Sequence, residues 1–134
     1  MSSGFPGRRT KGVQVRVEGE HVVITLLDRS LNFYVTDGLK EVLKETIERH
    51  LDEGRRSFIV DATDVKIVDS VGVGIGFIVP NNIVNTHSGE LRFALNKPFI
   101  IKILEILRVA KHLSIFDTVY DALADACSVE AGDE

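Results

Sequence analysis

Between Ile67 and Pro80 the chain reads IVDSVGVGIGFIVP, an apolar stretch interrupted by one polar pair, Asp69 and Ser70, and by Gly72, Gly74 and Gly76 at alternate positions. A serine hydroxyl in that setting can cap a helix, attack as a nucleophile or accept a phosphoryl group. Nucleophilic attack needs a positioned base, and no Ser-His-Asp or Cys-His order stands out. The glycines could cradle a phosphate, but their spacing is GxGxG rather than GxGxxG and no Gly-Lys-Ser/Thr follows. Close packing of a helix on a sheet is the stronger reading. Asp61, Asp64 and Asp69 bring three carboxylates into one loop, where hard oxygen ligands could hold a divalent cation. They lack the interleaved ligands of a calcium loop and read as solvated loop residues. His21, His50, His87 and His112 are scattered and read as exposed or half-buried structural histidines. The single cysteine, Cys127, reads as a small apolar filler in the last helix. No metal and no cofactor are expected, and nothing marks the chain as an enzyme.

The elements that must position Asp69 and Ser70 follow from periodicity. Val13, Val15 and Val17 alternate with polar residues, Glu18-Gly19-Glu20 signals a turn, and Val22 to Leu27 is a second β-rich run, which together predict a hairpin. From Thr36 the period lengthens: Leu39, Val42, Leu43, Ile47 and Leu51 mark an amphipathic helix that Thr36 can cap and Gly54 can end. Phe58-Ile59-Val60 is apolar on both faces, as a covered central strand should be. Ser70 then opens a helix as its N-cap. Pro80 should kink or restart that helix, since an interior proline costs on the order of 3 kcal/mol. Asn81 and Asn82 stand ready to satisfy the freed backbone groups, and the helix should stop at Gly89. Leu91, Phe93 and Leu95 alternate as a strand, Pro98 opens a helix, Ile115-Phe116 is a short strand, and a last helix spans Val119 to Cys127. Strands alternating with helices after a hairpin imply parallel pairing through right-handed crossovers.

The whole is one α/β domain over residues 13–127, preceded by a flexible lead-in over 1–12 and followed by a short acidic tail over 128–134. Its mixed sheet should hold about four or five strands, with the helices mainly on one face. A chain of 134 residues is long enough for one core and short for two. A net charge of −4 argues against bulk nucleic-acid binding, which draws on clustered Lys and Arg. The longest apolar run, Val71 to Val79, is about half of the ~20 residues that a membrane-spanning helix needs, so membrane insertion is not expected. The N-terminal residues lack the apolar centre of a secretory signal, and a cytoplasmic location is expected.

Taken together, SFIVDATDVKIVDSVGVG and LRFALNKPFIIKILEILRVAKHLSIFDTVYDALADA resemble the STAS domain of anti-sigma-factor antagonists and of the cytoplasmic tails of sulphate transporters. The most specific part is an apolar strand ending in Asp61, a short loop, and Asp69-Ser70-Val71-Gly72-Val73-Gly74 opening a helix. In the antagonists the serine after that aspartate is phosphorylated by a partner anti-sigma factor that is also a serine kinase; by position it is Ser70. The family's second Ser or Thr is Val71 here, leaving Ser70 as the lone phosphoacceptor of the motif. The family's Gly-x-Leu-Asp segment before the first helix reads Arg29-Ser30-Leu31-Asn32, so its partner-contacting aspartate is Asn32.

The resemblance implies a phosphorylation-switched interaction module of bacterial transcription regulation. Asn32, Asp69, Val71, Gly72 and Val73 would form its partner surface. Its implied partners are an anti-sigma serine kinase, bound when Ser70 is unmodified, and a phosphatase that resets Ser70; a homo-oligomer is also left open. The rival reading is a STAS scaffold or accessory subunit of a stress-signalling or transport assembly. A small enzyme or nucleotide-binding module is the third and least supported.

Overall fold

A computed structural model of the chain describes residues 8–10, 12–34 and 36–132. Two strands, β2 (Val13–Glu18) and β3 (His21–Leu26), form the expected hairpin, with Glu18 opposite His21 and Gly19 in the turn at φ 64°. Next come the short β4 (Ser30–Leu31), helix α1 (Thr36–Asp52), strand β5 (Ser57–Asp61) and the short β6 (Ile67–Val68). Helix α2 (Ser70–Val73), a π turn over Gly74–Ile78 and helix α3 (Val79–Thr86) follow without interruption. The chain continues through β7 (Glu90–Ala94), α4 (Pro98–Ile106), a 3₁₀ turn over Ala110–His112, β8 (Ser114–Phe116) and α5 (Val119–Gly132).

Strands β3, β5, β7 and β8 pair in parallel, and β2 adds antiparallel at β3, which gives the expected mixed sheet. A sixth strand, β1 (Arg8–Thr10), lies antiparallel on the outer edge of β2. Residues 8–10 therefore belong to the sheet and not to an unstructured lead-in; the rest of that segment, 1–7 and 11, lies outside the described residues. Three residues are too few to show an alternating pattern, so this strand left no periodic signal. At the other end α5 continues to Gly132, past the expected stop at Cys127, and takes up most of the stretch read as a tail.

Alternation along the strands sorts the core onto two faces. Val22, Ile24, Leu26, Phe58, Val60, Leu91 and Phe93 join Leu39, Leu43, Ile47 and Leu51 of α1, Phe77 and Val84, and Ile100 and Leu104 of α4 in one large cluster. The rings of Phe77 and Phe93 lie 5.1 Å apart. The other face is lighter: Val23 and Ile59 pack on Ala122 of α5, and Arg92 of β7 donates from Nε to Asp125 Oδ2 at 2.8 Å. Helices thus gather mainly on one face, with α5 alone on the other.

Pro80 coincides with a change of helix type, so the expected restart takes the form of a π turn leading into α3. In a regular α-helix its ring would abut the carbonyl of Gly76. The chain instead widens into the π turn, where the Val79 amide donates to the Gly74 carbonyl five residues back, and Pro80 falls in the first turn of α3, where its missing N–H leaves no gap. Asn81 is buried and reaches away from the helix, donating from Nδ2 to the His112 carbonyl. The end of α3 also differs from expectation. Ser88, not Gly89, takes the left-handed conformation (φ 62°), while Gly89 is small because a Cβ there would lie 2.8 Å from the Arg56 carbonyl oxygen.

Candidate functional site

The site begins with a small ribbon outside the main sheet. Strands β4 and β6 pair in parallel, Ser30 beside Ile67 and Leu31 beside Val68. The carbonyl of Arg29 accepts from the Lys66 and Ile67 amides, and that of Leu31 from the Asp69 amide at 3.1 Å. Residues 29–34 are thereby tied to the segment that leads into α2, which brings Asn32 and Ser70 to one rim although they are far apart in sequence.

At the head of α2 the cap is Asp69 and not Ser70. Asp69 keeps an extended backbone (φ −110°, ψ −178°), and its Oδ1 accepts from the Gly72 amide at 2.8 Å. Ser70 is the first helical residue and is exposed. Both residue types cap well; the bond from the Asp69 amide to Leu31 fixes where the extended chain ends. The second carboxylate oxygen of Asp69 accepts from the Phe33 amide at 3.1 Å. One side chain therefore holds both the start of the helix and the loop across from it.

Asn32 folds its own turn: Oδ1 accepts from the Tyr34 amide at 2.8 Å, and Nδ2 donates to Ser30 Oγ at 3.0 Å. That turn displays two aromatic residues, Phe33 and Tyr34, 66% and 89% exposed and in edge-to-face contact at 5.6 Å. With the exposed Ile67 and Val71 they give the Ser70 rim a large apolar content. The sequence reading missed Phe33 and Tyr34. The signal was two adjacent aromatics between Asn32 and Val35, in a segment of no clear period.

Of the five residues expected on a partner surface, Asn32, Asp69 and Val71 lie on this rim. Gly72 and Val73 turn inward instead. Val73 is 1% exposed, and a Cβ on Gly72 would stand 2.0 Å from the Leu31 carbonyl oxygen. Helical geometry dictates this, since the residues after Ser70 rotate through the buried side within one turn. Gly76 is likewise pressed on the Leu31 side chain, whereas nothing lies within 4 Å of a Cβ at Gly74. Close packing thus accounts for two of the three glycines, and the surface they pack on is Leu31 of β4 and not the main sheet.

Other candidates resolve as follows. Asp61 Oδ1 accepts from the Thr63 amide and hydroxyl, closing the loop after β5. Among the described residues no three His, Cys, Asp or Glu side chains converge as a metal site. Contrary to expectation, His21 and His50 are buried, and Cys127 is exposed. His21 Nδ1 meets Ser57 Oγ at 2.7 Å, and its Nε2 lies 3.7 Å from Cys127 Sγ. Burial, with the Arg55 guanidinium next, holds the His50 pKa below its ordinary 6.5. No helix among the described residues is long and apolar enough to cross a membrane.

A mixed sheet opened by a hairpin, and a capped helix presenting Asp-Ser-x-Gly beside a short parallel ribbon, define a known class. The STAS domain model matches residues 13–122, and the chain belongs to that family. Among solved structures it is similar to an anti-sigma factor antagonist from Mycobacterium paratuberculosis, with 14% identity, a TM-score of 0.71 and coverage of 84% of this chain and 91% of that one. It is also similar to the anti-sigma factor antagonist SpoIIAA in its unphosphorylated form (17%, 0.62, 87% and 97%). The Bacillus cell fate determinant SpoIIAA in its phosphorylated form matches comparably (17%, 0.61, 85% and 98%). At such identities the likeness establishes the fold. No curated protein matches the sequence.

Proposed function

We propose that this protein is a phosphorylation-switched interaction module, an anti-sigma-factor antagonist that binds an anti-sigma serine kinase while Ser70 is unmodified and leaves it once Ser70 is phosphorylated. The observation that carries this reading is Ser70 itself. Its side chain is exposed as the first residue of α2, on a rim shared with Asn32, Phe33, Tyr34, Ile67 and Val71. Ser70 has the reach a kinase needs, and the residues around it have the apolar area a partner needs. Phosphorylation would add about −1.5 to −2 charge there. Within the domain, the amides at the head of the helix temper that charge; at a closed interface it must be desolvated, so affinity changes while the fold stays. SpoIIAA, known in both phosphorylated and unphosphorylated forms, supports the reading by analogy of fold. The module needs no cofactor and has no catalytic part in the exchange; a phosphatase would reset Ser70.

One observation favours a second reading, a STAS scaffold or accessory subunit. Asn32 carries no charge and spends both ends of its amide on its own turn, so it offers less to a partner than an aspartate would. Affinity capture from the native host, with mass spectrometry of the partners and of the peptide containing Ser70, separates the two. A kinase partner with a fraction of Ser70 phosphorylated supports the switch, whereas a large assembly with Ser70 unmodified supports the scaffold.

A further inference from the structure

Away from the Ser70 rim, the outer side of α4 departs from ordinary patterning. Ile100 and Leu104 are fully buried and fix this helix on the core, while Phe99 and Ile106 are 64% and 67% exposed and Leu107, at its end, 42%. Phe99, Lys102, Ile103 and Ile106 follow the i, i+3, i+4, i+7 spacing that shares one helix face. From Lys97 to His112 there are four cations, Lys97, Lys102, Arg108 and Lys111, against one carboxylate, Glu105, in a chain of net charge −4. Lys97 is used internally, donating to the Thr63 carbonyl and to Asn96 Oδ1. Lys102, Arg108 and Lys111 are exposed and make no ion pair with another described residue.

We propose that this side of the molecule docks peripherally on an anionic phospholipid bilayer, with Phe99 and Ile106 entering the headgroup boundary and Lys102, Arg108 and Lys111 on lipid phosphates. Large apolar side chains flanked by long cationic ones are what an interfacial helix requires, because the stems lie along apolar surface while the charged ends stay wet. The acidic remainder of the chain is repelled by the same surface, so attraction and repulsion together turn α4 toward the bilayer. A second copy is a poor occupant: it would set cation against cation, over a helix too short for a stable protein interface. The contact is reversible and spans nothing.

The chain has no tryptophan, so one introduced residue can report which side touches lipid. Phe99→Trp and, as a control on the Ser70 rim, Tyr34→Trp are mixed with vesicles of phosphatidylcholine containing about a third phosphatidylglycerol, and with pure phosphatidylcholine, at low and high salt. The expected result is a blue shift of the Phe99→Trp emission with anionic vesicles alone, lost at high salt, and no shift for Tyr34→Trp. In co-sedimentation, Lys102→Glu with Lys111→Glu should weaken binding more than about tenfold, since each cation near such a surface contributes about fivefold. Phe99→Ser with Ile106→Ser should do the same, with an unchanged circular dichroism spectrum as the check on folding. No binding at low salt, a shift confined to Tyr34→Trp, or indifference to both double variants would overturn the proposal. Absence of vesicle binding alongside tight binding to an acidic amphipathic peptide would give this face to a protein instead.

Discussion

At the scale of single residues, Asp69 is the hinge of the site, because its two oxygens serve two segments, Gly72 in α2 and Phe33 in the loop. Asp69→Ala should lower stability by about 1–2 kcal/mol in urea denaturation, the range for a lost cap. A loss below about 0.5 kcal/mol would mean that neither bond matters. Ser70→Asp, at an exposed position in a first turn that tolerates negative charge, should stay within about 0.5 kcal/mol of wild type. That Ser70 stands at the head of a helix was legible, because Asp-Ser before an apolar run has few other readings. Which of the two caps was not, because adjacent residues of equal capping ability are separated only by the tertiary bond to Leu31. His50 gives a pH test. Its folded-state pKa is lowered, so the unfolded chain binds its proton more tightly, and stability falls as pH drops below about 6.5 and through the lowered value. Compared in urea at pH ~7.5 and pH ~5, His50→Gln should lose less stability on acidification than wild type. An equal loss would show that His50 contributes nothing to the pH dependence.

At the scale of elements, the alternating glycines are not equivalent. Gly72→Ala drives a Cβ into the Leu31 carbonyl and should cost more than about 2 kcal/mol, through displacement of β4 from α2. Gly74→Ala meets open space at helical dihedrals and should stabilise by about 0.5–1 kcal/mol. Thermal denaturation of the pair decides, and equal effects would contradict the packing described. Ser88→Gly should also raise stability, by about 1 kcal/mol, by relieving a left-handed serine. Glycine spacing showed that something packs closely here but not what, because the two-residue strand Ser30–Leu31 is too short to carry a pattern. The π turn was equally hidden: a proline in a helical run signals a break, and only the room ahead of it permits the wider turn.

At the scale of the whole molecule, the sheet, its hairpin and the helix order were legible because periods of two and of three to four residues alternate cleanly from Val13 to Ala126. The two-sidedness of the helix layer is uneven. Helix α1 buries Leu39, Leu43, Ile47 and Leu51, whereas α5 buries Ala122 and Ala126 and leans on the Arg92–Asp125 pair. Hydrogen exchange should therefore open α5 well before α1, and equal protection would contradict the packing. The Ser70 rim stands on the better anchored side, next to the core cluster that holds Leu31, Val68 and Val73, which suits the proposed change of charge without change of shape. The most direct measurement is isothermal titration of the captured partner kinase with the unmodified protein and with the same protein carrying phosphoserine at position 70. The switch reading predicts at least about a hundredfold weaker binding of the phosphorylated form, roughly 2.7 kcal/mol, with Ser70→Ala binding like the unmodified chain; equal or tighter binding of the phosphorylated form would contradict it.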